Sequence, residues 1–152
     1  LTSTALVRSK VVVAAGGFDE SLPFSEDWDF WLRLTRVSQF LKLREATTLY
    51  RQHSSQGSRI TRPVDYRTRL LEDASRKWGL CSQDGRCVSP KRFKRQLAGY
   101  CAGFGLGHLK GGEGASRVIA AKSFLKAWSI DRRYWRTLVY LAAMAIGWKP
   151  KW

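Results

Sequence analysis

The chain has 152 residues, 44% of them apolar and 26% charged, a globular mixture that excludes wholesale disorder and suffices for one domain with a hydrophobic core. Its 27 Lys and Arg against 12 Asp and Glu give a formal net charge of +15. Such an excess favours phosphate-bearing ligands, nucleic acid or an anionic membrane surface, and does not choose among them. The charge is uneven: residues 1–60 hold 8 basic and 6 acidic side chains, a net of +2, and residues 61–152 hold 19 and 6, a net of +13. Leu1–Arg8 lacks the pattern of a signal peptide, and the chain opens as if in mid-domain. Three cysteines, Cys81, Cys87 and Cys101, are an odd number, which points to unpaired thiols in a reducing compartment. No apolar run reaches the roughly 18 residues of a membrane span.

In chain order, Thr2–Val7 is apolar and β-branched and predicts a strand. Ser9 is placed to cap a helix over Lys10–Ala15 that Gly16-Gly17 ends. Phe18–Phe24 reads as a loop, and Ser25 as the cap of a helix from Glu26 to about Val37. Trp28, Trp31, Leu32 and Thr35 give that helix its i, i+3, i+4, i+7 face. Phe40–Leu43 and Thr47–Arg51 predict extended segments around Arg44 and Glu45, followed by a polar loop over Gln52–Arg59. Val64–Trp78 predicts a helix and Cys81–Lys91 a loop. Arg92–Leu109 predicts a helix interrupted by Gly99, Gly103, Gly105 and Gly107. Gly111–Gly114 breaks the pattern, Ala115–Ser129 and Arg133–Gly147 complete a helical tail, and Pro150 stops it.

The stretch richest in chemistry is Gly16-Gly17-Phe18-Asp19-Glu20 followed by Ser25-Glu26-Asp27-Trp28-Asp29-Phe30-Trp31-Leu32-Arg33. Three carboxylates fall in the first turn of a helix that is otherwise aromatic. One account is structural: acidic residues complement the helix dipole at about 0.3–1 kcal/mol each, and Asp29 can pair with Arg33 four residues on. The other is catalytic: a carboxylate held at a cleft edge by a rigid helix can take a proton from a substrate hydroxyl. Asp27-Trp28-Asp29 is formally a D-x-D, but it opens a helix, whereas a metal–nucleotide D-x-D ends a buried strand.

The run from Thr2 to about His53 resembles the second half of a family 2 glycosyltransferase catalytic domain. The resemblance rests on Thr2–Arg8, Gly16–Glu20, Glu26–Leu34 and Tyr50-Arg51-Gln52-His53, four motifs in order over about a third of the chain. It implies an α/β fold: the second half of a GT-A, Rossmann-like nucleotide-sugar transferase domain over residues 1–60, with a basic and mainly helical C-terminal region over 61–152. By the same resemblance Asp27 is the catalytic base and Glu26 its partner, acting on a nucleotide-diphosphate sugar with inversion. Arg51 would neutralise the leaving diphosphate, and Trp28 and Asp29 would bind the substrate or the diphosphate with it. His53 would contact a divalent metal, Mg or Mn, or the diphosphate itself. A departing diphosphate suits a hard, oxygen-ligated cation. The family's nucleotide-binding half would precede residue 1, so the isolated 152 residues are expected to lack transfer activity.

Lys91-Arg92-Phe93-Lys94-Arg95 is a basic cluster suited to phosphates or to a solvated helix face. Arg132, Arg133 and Arg136 precede the apolar stretch Leu138–Trp148, with Trp128, Trp135, Trp148 and Trp152 nearby. That pattern suits an interfacial helix on an anionic membrane, and packing of the segment on the domain accounts for it equally. The x5 spacing of Cys81 and Cys87 argues against zinc with Cys101 and His108. Two function classes stand: a nucleotide-sugar transferase at the cytoplasmic face of a membrane, with a glycan or lipid-linked acceptor of cell-envelope polysaccharide synthesis, or a non-enzymatic basic module. The ordered carboxylate and Arg/His motifs favour the transferase. Nucleic acid is the weaker partner, since no groove-reading or base-stacking signature is present.

Overall fold

The computed structural model describes residues 2–53 and 60–148. Six helices occupy them: α1 (Ser9–Ala14), α2 (Glu26–Leu34), α3 (Tyr66–Trp78), α4 (Pro90–Lys110), α5 (Arg117–Ile130) and α6 (Arg136–Ala145), with 3-10 turns at Thr2–Thr4 and Arg132–Tyr134. Part of the polar loop expected over 52–59, the stop at Pro150 and the terminal Trp152 lie outside the described residues.

The α/β, Rossmann-like expectation is overturned: among the described residues there is no strand and no sheet, and the one β-bridge joins Cys81 to Cys87. The reason is partnership. A strand is held by the ladder it forms with a neighbour, and β-branched composition alone does not make one. Thr2–Thr4 instead closes a 3-10 turn, with the Ala5 amide donating to the Thr2 carbonyl at 3.2 Å. Residues 39–53 are exposed throughout and carry no regular structure, so their apolar side chains find no second layer; Leu49 is 101% exposed.

The densest packing lies in the C-terminal helices, α4 and α5 above all. One cluster joins Cys101 and Ala102 of α4 to Ala127 of α5, with Ile130 and Tyr134 against it. A second joins Leu109 to Ala120 and Phe124 and is covered by Leu106, Tyr140, Leu141 and Met144. Burying a Phe such as Phe124 contributes about 1.5–3 kcal/mol. The four glycines expected to interrupt α4 do not, since it runs unbroken over Pro90–Lys110. Gly105 lets the helices approach: a Cβ there would stand 2.7 Å from Phe124 Cε1. Burial also pushes the Cys101 thiol up from its ordinary range.

The thiol expectation is corrected as well. Cys81 and Cys87 form a disulfide and only Cys101 is free, buried against Thr68 of α3. An odd count of cysteines had masked a pair six residues apart on one turn. The two serines singled out as caps make no side-chain cap bond, although Ser25 does hold the N-cap position of α2. Ser9 lies inside α1, and Ser25 precedes α2 in the left-handed region (φ 64°, ψ 22°) without a side-chain cap bond. N-caps need extended backbone to aim the hydroxyl at the first-turn amides, and a left-handed residue does not provide it. Asp65, Ser89 and Ser116 cap α3, α4 and α5 by accepting from Thr68, Arg92 and Ile119 amides. Gly16 and Gly17, both at positive φ, do end α1: their amides donate back to Val13 and Val12 carbonyls at 3.0 Å.

Among the described residues no helix is long and apolar enough to cross a membrane. The Leu138–Trp148 stretch packs by one face only, through Tyr140, Leu141 and Met144.

Candidate functional site

The site begins with the backbone of Ser25. Because this residue is left-handed and its hydroxyl does not cap, the Trp28 amide in the first turn of α2 is left for another acceptor. Asp27 supplies it: Oδ1 accepts from the Trp28 amide at 2.8 Å. That bond fixes the side chain of a half-buried carboxylate at the positive end of a helix dipole. Its second oxygen, Oδ2, has no hydrogen-bond partner among the described residues, and so remains able to accept a proton.

The neighbours of Asp27 hold this turn rigid. The Trp28 ring meets Tyr100 of α4 edge-on at 6.2 Å, and the Arg67 guanidinium of α3 lies 4.6 Å over it. Asp29 accepts from Arg33 Nε at 2.8 Å, and Arg33 also donates to the Ala15 carbonyl at the end of α1. The carboxylate of Asp29 is therefore occupied in tying α2 to the Gly16-Gly17 turn. Phe18 from that turn packs against Phe30, ring centroids 4.4 Å apart and tilted by 37°. Hydrogen bonds from the Ser21 hydroxyl and amide hold the Asp19 carboxyl below its ordinary range. Ahead of α2, Phe24 lies under the Arg62 guanidinium at 3.8 Å and beside Tyr66 at 5.7 Å.

Glu26 is exposed on the same first turn as Asp27. Arg51 and His53 are exposed on the irregular stretch after Thr47. An open cleft of about 1060 Å³ lies between the first residues, α1, Trp31 and Leu34 of α2, and residues 38–48. Neither Asp27 nor Glu26 lines it, and neither do Arg51 and His53. A hard cation takes six or more ligands, or keeps several waters beside one or two carboxylates. Among the described residues no three His, Cys, Asp or Glu side chains come together to hold a metal ion. These residues, His53 included, do not by themselves make a metal site.

Three contacts that position the site carry no sequence signal. Arg67 reads as one of several charges on α3, Tyr100 as one aromatic of a long helix, and Arg62 as a loop cation. Only spatial proximity to Trp28 and Phe24 reveals them. His108 is a further case: buried in α4, its Nδ1 accepts from the Ser116 amide at 3.0 Å, which leaves Nε2 to donate to the Arg62 carbonyl at 2.9 Å. It thereby ties the helical region to the residue that stacks on Phe24.

The profile of the family described as "Glycosyltransferase like family 2" matches residues 1–81, more than half of the chain, which belongs to that family and is on that ground a glycosyltransferase. The match passes the boundary expected at residue 60 and takes in all of α3. No curated protein and no solved structure matches the chain significantly.

Proposed function

We propose that the chain forms the acceptor side of an inverting hexosyltransferase, with Asp27 as the general base. The donor is a nucleotide-diphosphate sugar and the acceptor a hydroxyl on a glycan or lipid-linked saccharide. The observation that carries this reading is the state of Asp27: one oxygen is held by the Trp28 amide and the other is left to accept. In the reaction Oδ2 takes the acceptor proton as the hydroxyl oxygen bonds to the anomeric carbon. The bond from that carbon to the diphosphate breaks, and its electron pair leaves with the nucleotide. Attack opposite the leaving group inverts the configuration.

Glu26, on the same turn, is the partner of Asp27 at the acceptor, and Arg51 neutralises the leaving diphosphate. Trp28 and Asp29 act through their protein partners, Trp28 by clamping the turn that carries Asp27 and Asp29 by fixing Arg33. Were Mg or Mn to accompany the donor diphosphate, His53 would be its candidate protein ligand and the ion would offset the charge of the leaving group. Residues 61–152, with a net charge of +13, bring this chemistry to an anionic membrane surface, where lipid-linked acceptors for envelope polysaccharides reside.

The test is the anomeric configuration of the product of the full-length enzyme, followed by NMR as it forms. Inversion supports a single displacement with one base, and retention overturns it. Arg51→Ala is expected to weaken donor binding by about tenfold or more, as loss of a charge-assisted contact does.

A further inference from the structure

We propose that the outer face of α6 is a docking surface for an anionic membrane. The helix carries two stripes. Thr137, Tyr140, Leu141 and Met144 turn inward, with Thr137 buried and the other three covering Leu109, Ala120 and Phe124. Trp135, Val139, Ala142 and Ile146, spaced i, i+4, i+7 and i+11, run along the opposite side and are exposed: Trp135 is 56%, Val139 53% and Ile146 84% accessible. A helix already anchored by one apolar face gains nothing in water from a second. A continuous second stripe marks a surface that meets something apolar.

The charges beside the stripe select the partner. Arg132, Arg133 and Arg136 cluster at its N-terminal end, and none of them pairs with a carboxylate among the described residues. The nearest acid in sequence, Asp131, is engaged, accepting from the Arg133 amide at 3.0 Å and facing Arg95 Nε at 4.0 Å. From residue 132 to the last residue the chain has no Asp or Glu at all. The Arg132 guanidinium lies 3.6 Å over the Trp128 ring, and a guanidinium held against an aromatic face keeps N–H donors for phosphate oxygens. An apolar groove on another protein would satisfy the stripe but not these cations. A leaflet of anionic lipid satisfies both: phosphates take the guanidinium groups, Trp135 sits at headgroup level, and Val139 and Ile146 reach the acyl boundary.

This names the surface behind the membrane location proposed above, and its test uses no turnover, so its failure leaves the glycosyl-transfer reading intact. The full-length protein is co-sedimented with vesicles containing phosphatidylglycerol and with vesicles of phosphatidylcholine alone. The expected result is salt-sensitive binding to the anionic vesicles only. Each of Arg132→Gln, Arg133→Gln and Arg136→Gln should lower the partition coefficient about fivefold. Val139→Asp with Ile146→Asp should lower it about tenfold or more, with an unchanged unfolding midpoint because both positions are exposed. Lys91→Gln with Lys94→Gln, exposed on α4, should change it less than about twofold. Equal binding to neutral vesicles, indifference to the α6 substitutions or tighter binding to duplex DNA would overturn the proposal. So would self-association that Val139→Asp dissolves, which would assign the stripe to a second copy of the chain.

Discussion

Replacing Gly105 by Ala should destabilise the protein, and the same change two residues earlier, at Gly103, should stabilise it. Both lie inside α4, where alanine is favoured over glycine by about 0.8–1 kcal/mol on helix propensity alone. At Gly105 the new Cβ would stand 2.7 and 2.8 Å from two carbons of the Phe124 ring and 3.2 Å from the Ala120 carbonyl oxygen. Neither neighbour can yield cheaply. Phe124 is fully buried between Leu109, Ala120 and Tyr140, and the carbonyl belongs to the backbone of α5. Overpacking a filled core costs about 1–3 kcal/mol, which exceeds the propensity gain and leaves a net loss of about 1 kcal/mol. Gly103 is exposed, with nothing within 4 Å of its Cβ position, so its gain of about 0.5–1 kcal/mol stands. The two variants should therefore differ by about 2 kcal/mol, or roughly 4–8 °C in Tm for a chain of this size. Urea unfolding with matched m-values measures the difference. Equal stabilisation by both substitutions would refute the close approach of α4 and α5.

His108→Ala should cost about 3 kcal/mol in the same unfolding assay, because it leaves the Ser116 amide and the Arg62 carbonyl without their buried partner. A loss below about 1 kcal/mol would mean that water replaces the ring. Reduction of Cys81–Cys87 should lower stability by about 2 kcal/mol, the entropy of opening so short a loop, and thiol titration of the unfolded chain should count one group before reduction and three after. Three reactive thiols without reductant would contradict the pairing.

What was legible in the sequence follows from how local each feature is. The helices at Tyr66–Trp78, Pro90–Lys110 and Arg117–Ile130 were readable because their apolar periodicity and flanking breakers lie within each segment. The family was readable because its motifs, from Gly16-Gly17 to Glu26–Leu34, lie inside the matched residues. Whether Thr2–Val7 and Phe40–Leu43 become strands depends on a partner strand, which no local pattern reveals. Gly105 looks like a helix breaker until Phe124 is seen against it, and a glycine at a helix crossing has the same sequence appearance as one at a break. For the candidate site, Asp27 was singled out by the family resemblance of the Glu26-Asp27 pair, with its place at the head of a helix beside it. Its orientation was not, since it depends on the left-handed backbone of Ser25, a conformation that carries no composition signal at a serine. The Arg67 and Tyr100 contacts to Trp28 arise from α3 and α4, 39 and 72 residues further along the chain.

The central claim is that Asp27 takes the acceptor proton. Asp27→Asn keeps the shape of the side chain and an oxygen for the Trp28 amide, and removes the base. In the full-length enzyme it should lower kcat for sugar transfer by about 10²–10⁴-fold while the Kd for the nucleotide-diphosphate donor stays within about twofold. Transfer at the original rate with donor binding intact would remove Asp27 from the reaction.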